Sequence, residues 1–110
     1  MFQLLYVILQ TDMNSTNSDI SYSLPVTIFR EGDAFVAYTP ALDLSSVGKT
    51  EADARRMFVE AVDVFFEELT EMGTLNSVLK DLGWTTANGK FLPPKVVKHS
   101  LMDVRVPSAA

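Results

Sequence analysis

The stretch "TEADARRMFVEAVDVFFEELTEMG", Thr50 to Gly73, limits what this chain can become more than any other part of it. Its apolar residues return every three to four positions. Ala54, Phe58, Ala61, Val62, Phe65, Leu69 and Met72 therefore fall on one face of an α-helix, and the opposite face carries Arg56, Glu60, Asp63, Glu67 and Glu71. Both ends are marked. Thr50-Glu51-Ala52-Asp53 fits the Ser/Thr-x-x-Asp/Glu capping box, in which the Thr50 hydroxyl accepts from a free first-turn N–H, worth about 1 kcal/mol. Glu51 and Asp53 favour the positive helix end, and Gly73 terminates the run. A helix over 51–72 with such a face needs a sheet beneath it. Val59 and Phe66 on one flank, and Met57 and Val64 on the other, widen the apolar arc beyond what one sheet covers. A second element covers part of it, and the four flank residues are candidate contacts in a homo-oligomer.

The same boundary disposes of a nucleotide site. Gly48-Lys49-Thr50 matches the end of a P-loop, but the first glycine of that motif would stand where Asp43 is. A carboxylate there repels phosphate, and its side chain forbids the backbone conformations that glycine permits. Gly48 instead lets a strand bend into the helix.

The 110 residues suit one domain, and 47% apolar with 21% charged residues is enough for a packed core. Cysteine is absent, which excludes disulfides and thiolate metal sites and is compatible with a reducing cytoplasm. The single histidine, His99, has no nucleophile motif nearby and is too few for a zinc site. With a net charge of −5 and no basic stripe, direct nucleic-acid binding is disfavoured, and a basic protein partner fits better. No metal or cofactor site is expected.

Residues 1–19 read as an apolar leader, "MFQLLYVILQ", and a polar linker. The leader lacks the basic start and cleavage site of a signal peptide and is too short to span a bilayer. It is an upstream extension before a start at Met13, an extra strand, or an oligomer contact. Residues 20–110 form one domain. Tyr22, Leu24, Val26 and Ile28 alternate as a strand, with Pro25 placing it at an edge. "REGDA" turns into a second strand, "AFVAYT", and Pro40–Asp43 turns into a third, "LSSVG". After the long helix, Thr74 caps a short one whose stripe is Val78, Leu79 and Leu82. Gly83 ends it, and Trp84 folds back on that stripe. "TTANGKFLPP" is a loop with an Asn-Gly turn. "KVVKHSLMDVRV" closes the domain as a strand with Val96, Met102, Val104 and Val106 buried. The expected class is α+β: a three-stranded antiparallel sheet plus a long helix, in the order β-β-β-α-α-β.

Within that order, the segment Val26 to Leu69 resembles the HicB family of antitoxins. The residues that carry the resemblance are Gly32-Asp33 before Phe35-Val36-Ala37-Tyr38, then Pro40 and Leu42, then Gly48, Thr50 and Asp53-Ala54 ahead of the helix. The tail from Gly73 to Pro94 is similar to a subset of that family. Two features depart from it: the turn after Pro40-Ala41-Leu42 lacks a Pro-Gly-Cys, and no helix-turn-helix or ribbon-helix-helix follows Val106, so operator binding is not expected. The resemblance implies a fold similar to a partial ribonuclease H domain without its nuclease chemistry. It further implies a cytoplasmic antitoxin, or a protein derived from one, that covers a small basic HicA-type mRNA-cleaving toxin. Glu60, Asp63, Glu67 and Glu71 are then the candidate partner-binding residues, set against the plainer reading of the same acids as a solvated helix face. The competing readings are an oligomer without a toxin partner and, behind it, a small metal-dependent nuclease using the same acids.

Overall fold

The computed structural model describes residues 21–108. The leader and linker expected over residues 1–19, with Met13, lie outside the described residues. Strands β1 (Thr27–Glu31), β2 (Ala34–Thr39) and β3 (Leu44–Gly48) form an antiparallel sheet in the order β1-β2-β3. Helix α1 (Glu51–Met72) lies across one face. The short helix α2 (Leu75–Asp81) follows, then a separate two-stranded hairpin of β4 (Thr85–Ala87) and β5 (Lys90–Leu92). The class is α+β, with the expected three-stranded sheet and long helix.

Register explains why the helix sits where it does. Ile28, Ala37 and Ser46 are aligned across the three strands on the inner face, beside the row Arg30, Phe35 and Gly48. Ala37 and Ala54 are fully buried, and with Phe58 they make a small core flanked by Ile28, Phe35 and Val62. Small residues at this contact let α1 come down onto β3. The Ser46 hydroxyl donates to the Ala54 carbonyl at 2.9 Å. A Cβ on Gly48 would lie 2.4 Å from the Ala54 nitrogen and 2.7 Å from the Asp53 carbonyl carbon. Gly48 is therefore required by close backbone approach, and not by the bend expected from sequence.

The caps of α1 form as read. The Asp53 N–H donates to Thr50 Oγ1 at 3.0 Å. Gly73 takes a left-handed φ of 72°, with the Thr74 N–H returning to the Leu69 carbonyl, a Schellman ending. A second core lies toward the other end of the molecule. Ala41, Leu42, Leu79 and Trp84 are buried there, with Tyr22, Phe65, Phe66 and Phe91 packed around them. Trp84 follows Gly83 (φ 95°), and its N–H closes on the Leu79 carbonyl at 3.0 Å, so the indole turns back on α2 as expected. The indole N–H also donates to the Ala41 carbonyl at 2.8 Å, which fastens the C-terminal third of the fold to the β2–β3 turn.

Four expectations are corrected. The first strand begins at Thr27; residues 21–26 have no ladder partner, and Tyr22 and Leu24 serve as side-chain packing for the second core. Thr74 does not cap α2: its backbone is outside the extended region a cap needs, and its hydroxyl is buried without a partner. The Asn-Gly loop is a hairpin, because Asn88 (φ 54°) and Gly89 (φ 76°) give the two positive φ values that close β4 on β5. Finally, residues 95–106 form no strand. Val96, Met102, Val104 and Val106 are exposed, because among the described residues no strand pairs with them.

Candidate functional site

Helix α1 presents the acids singled out from sequence along its outer side. Glu60, Asp63 and Glu71 are exposed and Glu67 is half-buried. Glu68, not singled out, joins them; its place beside Glu67 was readable in "FFEELTE" but off the chosen face. The two ion pairs formed among the described residues lie at the N-terminal end of α1, Arg55–Glu51 at 3.8 Å and Arg56–Asp53 at 3.0 Å. From Glu60 onward the helix acids have no ion-pair partner among those residues. One carboxylate oxygen of Glu67, Oε2, is buried without a hydrogen bond.

This arrangement is not one that helix stability favours. The last turn of α1 holds no basic residue, and Glu67, Glu68 and Glu71 stand near its carbonyl end. Glu71, in that last turn, costs about 0.3–1 kcal/mol against the helix dipole, an effect that fades for Glu67 and Glu68 one turn earlier. The like-charged pairs Asp63–Glu67 and Glu67–Glu71 add a few tenths each, on the order of 0.2–0.5 kcal/mol. A cationic surface laid against the stripe would offset both.

The flank residues divide. Val59 is 60% exposed and Met57 39%, while Val64 is half-buried. Phe66 is engaged within the chain, edge-on to Phe65 at 5.3 Å and to Trp84 at 6.5 Å between ring centroids. Beside Val59, between α1 and residues 21–26, runs an open trough of about 320 Å³ lined by Leu24, Val26, Phe58, Val59, Val62 and Asp63 among others. The trough exists because α1 packs mainly on β3 and β2, leaving the β1 side of the sheet as a bare shoulder.

The motif residues of the sheet are structural in this fold. Leu42 and Ala54 are buried, and Pro40 is an exposed turn residue. The Tyr38 hydroxyl donates to Asp43 Oδ1 at 3.0 Å. That hydrogen bond, with lesser help from burial and the carboxylate's charge, holds the Tyr38 hydroxyl above the ordinary tyrosine pKa. Among the described residues, no three His, Asp or Glu side chains converge as a metal-ligand set, and no helix is long and apolar enough to cross a membrane. His99 lies exposed in the C-terminal tail.

Compared with protein-family models, curated proteins and solved structures, the chain matches none of them.

Proposed function

We propose that this chain works by covering another protein's surface, as a HicB-like antitoxin or a descendant of one, and that its partner is a small basic RNA-cleaving toxin of the HicA type. The supporting observation is the run of acids from Glu60 to Glu71, which has no ion-pair partner among the described residues and ends in the last turn of the helix, where the dipole disfavours negative charge. Such a stripe steers a basic partner and selects it by charge. Inhibition is then occlusion: the toxin's RNA-binding cations are neutralised and buried, and this chain does no chemistry. The reading places the complex in the cytoplasm and assigns the chain no cofactor.

The test is co-expression with the protein encoded beside it, pull-down, and calorimetry across a salt series. Replacing Glu60, Glu67 and Glu71 together by Lys is expected to weaken binding at least tenfold and to flatten the salt dependence of what remains, since exposed pairs are screened beyond about 8–10 Å. An affinity unchanged by the triple substitution removes the stripe from the interaction.

A further inference from the structure

The least explained part of the molecule is its C-terminal tail, residues 93–108. It leaves the body beside Pro25, where Pro93, Pro94, Lys95 and Val96 border a shallow depression with Ser23. Beyond that it is extended and solvated. Leu101 is as exposed as in a free peptide, and Met102 and Val104 are more than three-quarters exposed. Yet Met102, Val104 and Val106 alternate with Asp103 and Arg105, the pattern of a strand with one apolar side. The tail is also the basic part of an acidic protein. Lys95, Lys98 and Arg105 against Asp103 give it +2. Residues 21–92 carry −5, from six Lys or Arg against eleven Asp or Glu.

We propose that the tail of one copy docks along the β1 shoulder of a second copy, and that the exchange is reciprocal. Three observations select this occupant. The shoulder offers β1, a strand edge with no ladder partner among the described residues, next to a trough whose apolar wall includes Val26, Phe58 and the exposed Val59. Such an edge is a template for an added strand. Charge fits too: Asp63 lines that trough, the Arg55 that also lines it lies 3.8 Å from Glu51, and the tail brings Lys98 just ahead of its apolar run. The exit point matches as well. The tail departs next to residues 23–25, which lead directly into the shoulder, so a two-fold axis there brings each tail to its partner's trough over a short span. Pro93-Pro94 fixes an extended departure and so carries the tail away from its own body. Met102, Val104 and Val106 then face the trough, and Asp103 and Arg105 face solvent. This inference shares Asp63 with the acidic stripe, yet it needs no second protein, so the oligomeric state of the chain alone tests it apart from toxin binding.

The absence of native cysteine makes the test direct in the full-length chain. Copies carrying Val59→Cys are mixed with copies carrying Val104→Cys under mild oxidation. A disulfide-linked species of twice the chain mass, containing one of each, is the expected result. In parallel, sedimentation of the wild type is expected to give a dimer, and Met102→Lys combined with Val104→Glu a monomer. The far-UV circular dichroism should be unchanged, because both side chains are solvated in the single chain. A wild type that stays monomeric, a variant that stays dimeric, or a disulfide that forms only within one chain carrying both cysteines would each overturn the exchange.

Discussion

Strand β2, "AFVAYT", and the tail segment "LMDVRV" are both six residues long; burial alternates along the second half of β2, where Ala37 and Thr39 are covered, and side-chain character alternates along the tail segment, where Met102, Val104 and Val106 flank Asp103 and Arg105. Their surroundings differ. β2 has a hydrogen-bonded neighbour on each side, and its inner residues Ala37 and Thr39 are fully buried. Among the described residues, the tail segment has neither a paired neighbour nor cover. Period-two alternation therefore says that one face of a segment is fit to be buried. It does not say that the same chain supplies the surface. β2 had that surface because two short turns bring β1 and β3 alongside it. The tail is separated from the sheet by α1, α2 and a hairpin, and two prolines aim it outward.

The body and the tail should therefore answer substitutions in opposite ways, and the largest effect tests the body. Replacing Trp84 by Ala removes the centre of the second core and leaves the Ala41 carbonyl without its donor. A loss of about 3–5 kcal/mol is expected in urea denaturation followed by circular dichroism. Gly48→Ala comes next. Its new methyl meets helix backbone, which cannot move aside as a side chain would, and about 1–3 kcal/mol should be lost, seen as a lower midpoint of thermal unfolding. Thr50→Ala deletes one cap bond and should cost about 1 kcal/mol, with Thr50→Ser recovering most of it. At the small end, Val97→Lys in the tail, 92% exposed, should change stability by no more than about 0.5 kcal/mol in dilute solution. A tail substitution as costly as the cap would break the contrast.

Much of the helical part was legible, because its signals are local. Thr50, Asp53 and Gly73 specify the ends of α1 through groups within one turn of each other, and Gly83-Trp84 does the same for α2. The strands were legible where a tight turn fixed the partner, as at Gly32 (φ 63°) between β1 and β2. Misplaced features depend on neighbours distant in sequence. Tyr22 and Leu24 look like strand residues but are drawn to Trp84 and Phe66. Gly48 looks like a hinge until the Ala54 backbone is seen against it. Phe66 looks like an outer flank until Trp84 arrives. The acids of the candidate site were visible one by one. Their lack of compensation was not, since it depends on where Arg55 and Arg56 spend their charge: on Glu51 and Asp53, in the first two turns.

The bond from the Trp84 indole to the Ala41 carbonyl spans 43 residues, and this is the protein's single tryptophan. Its fluorescence is thus a private signal of the moment when the last third of the polypeptide seats against the first turn after β2. A hairpin or a helix forming ahead of that seating would be dark to it, while circular dichroism would already register the helix. Following both signals during refolding would separate the two steps in time without any label being attached.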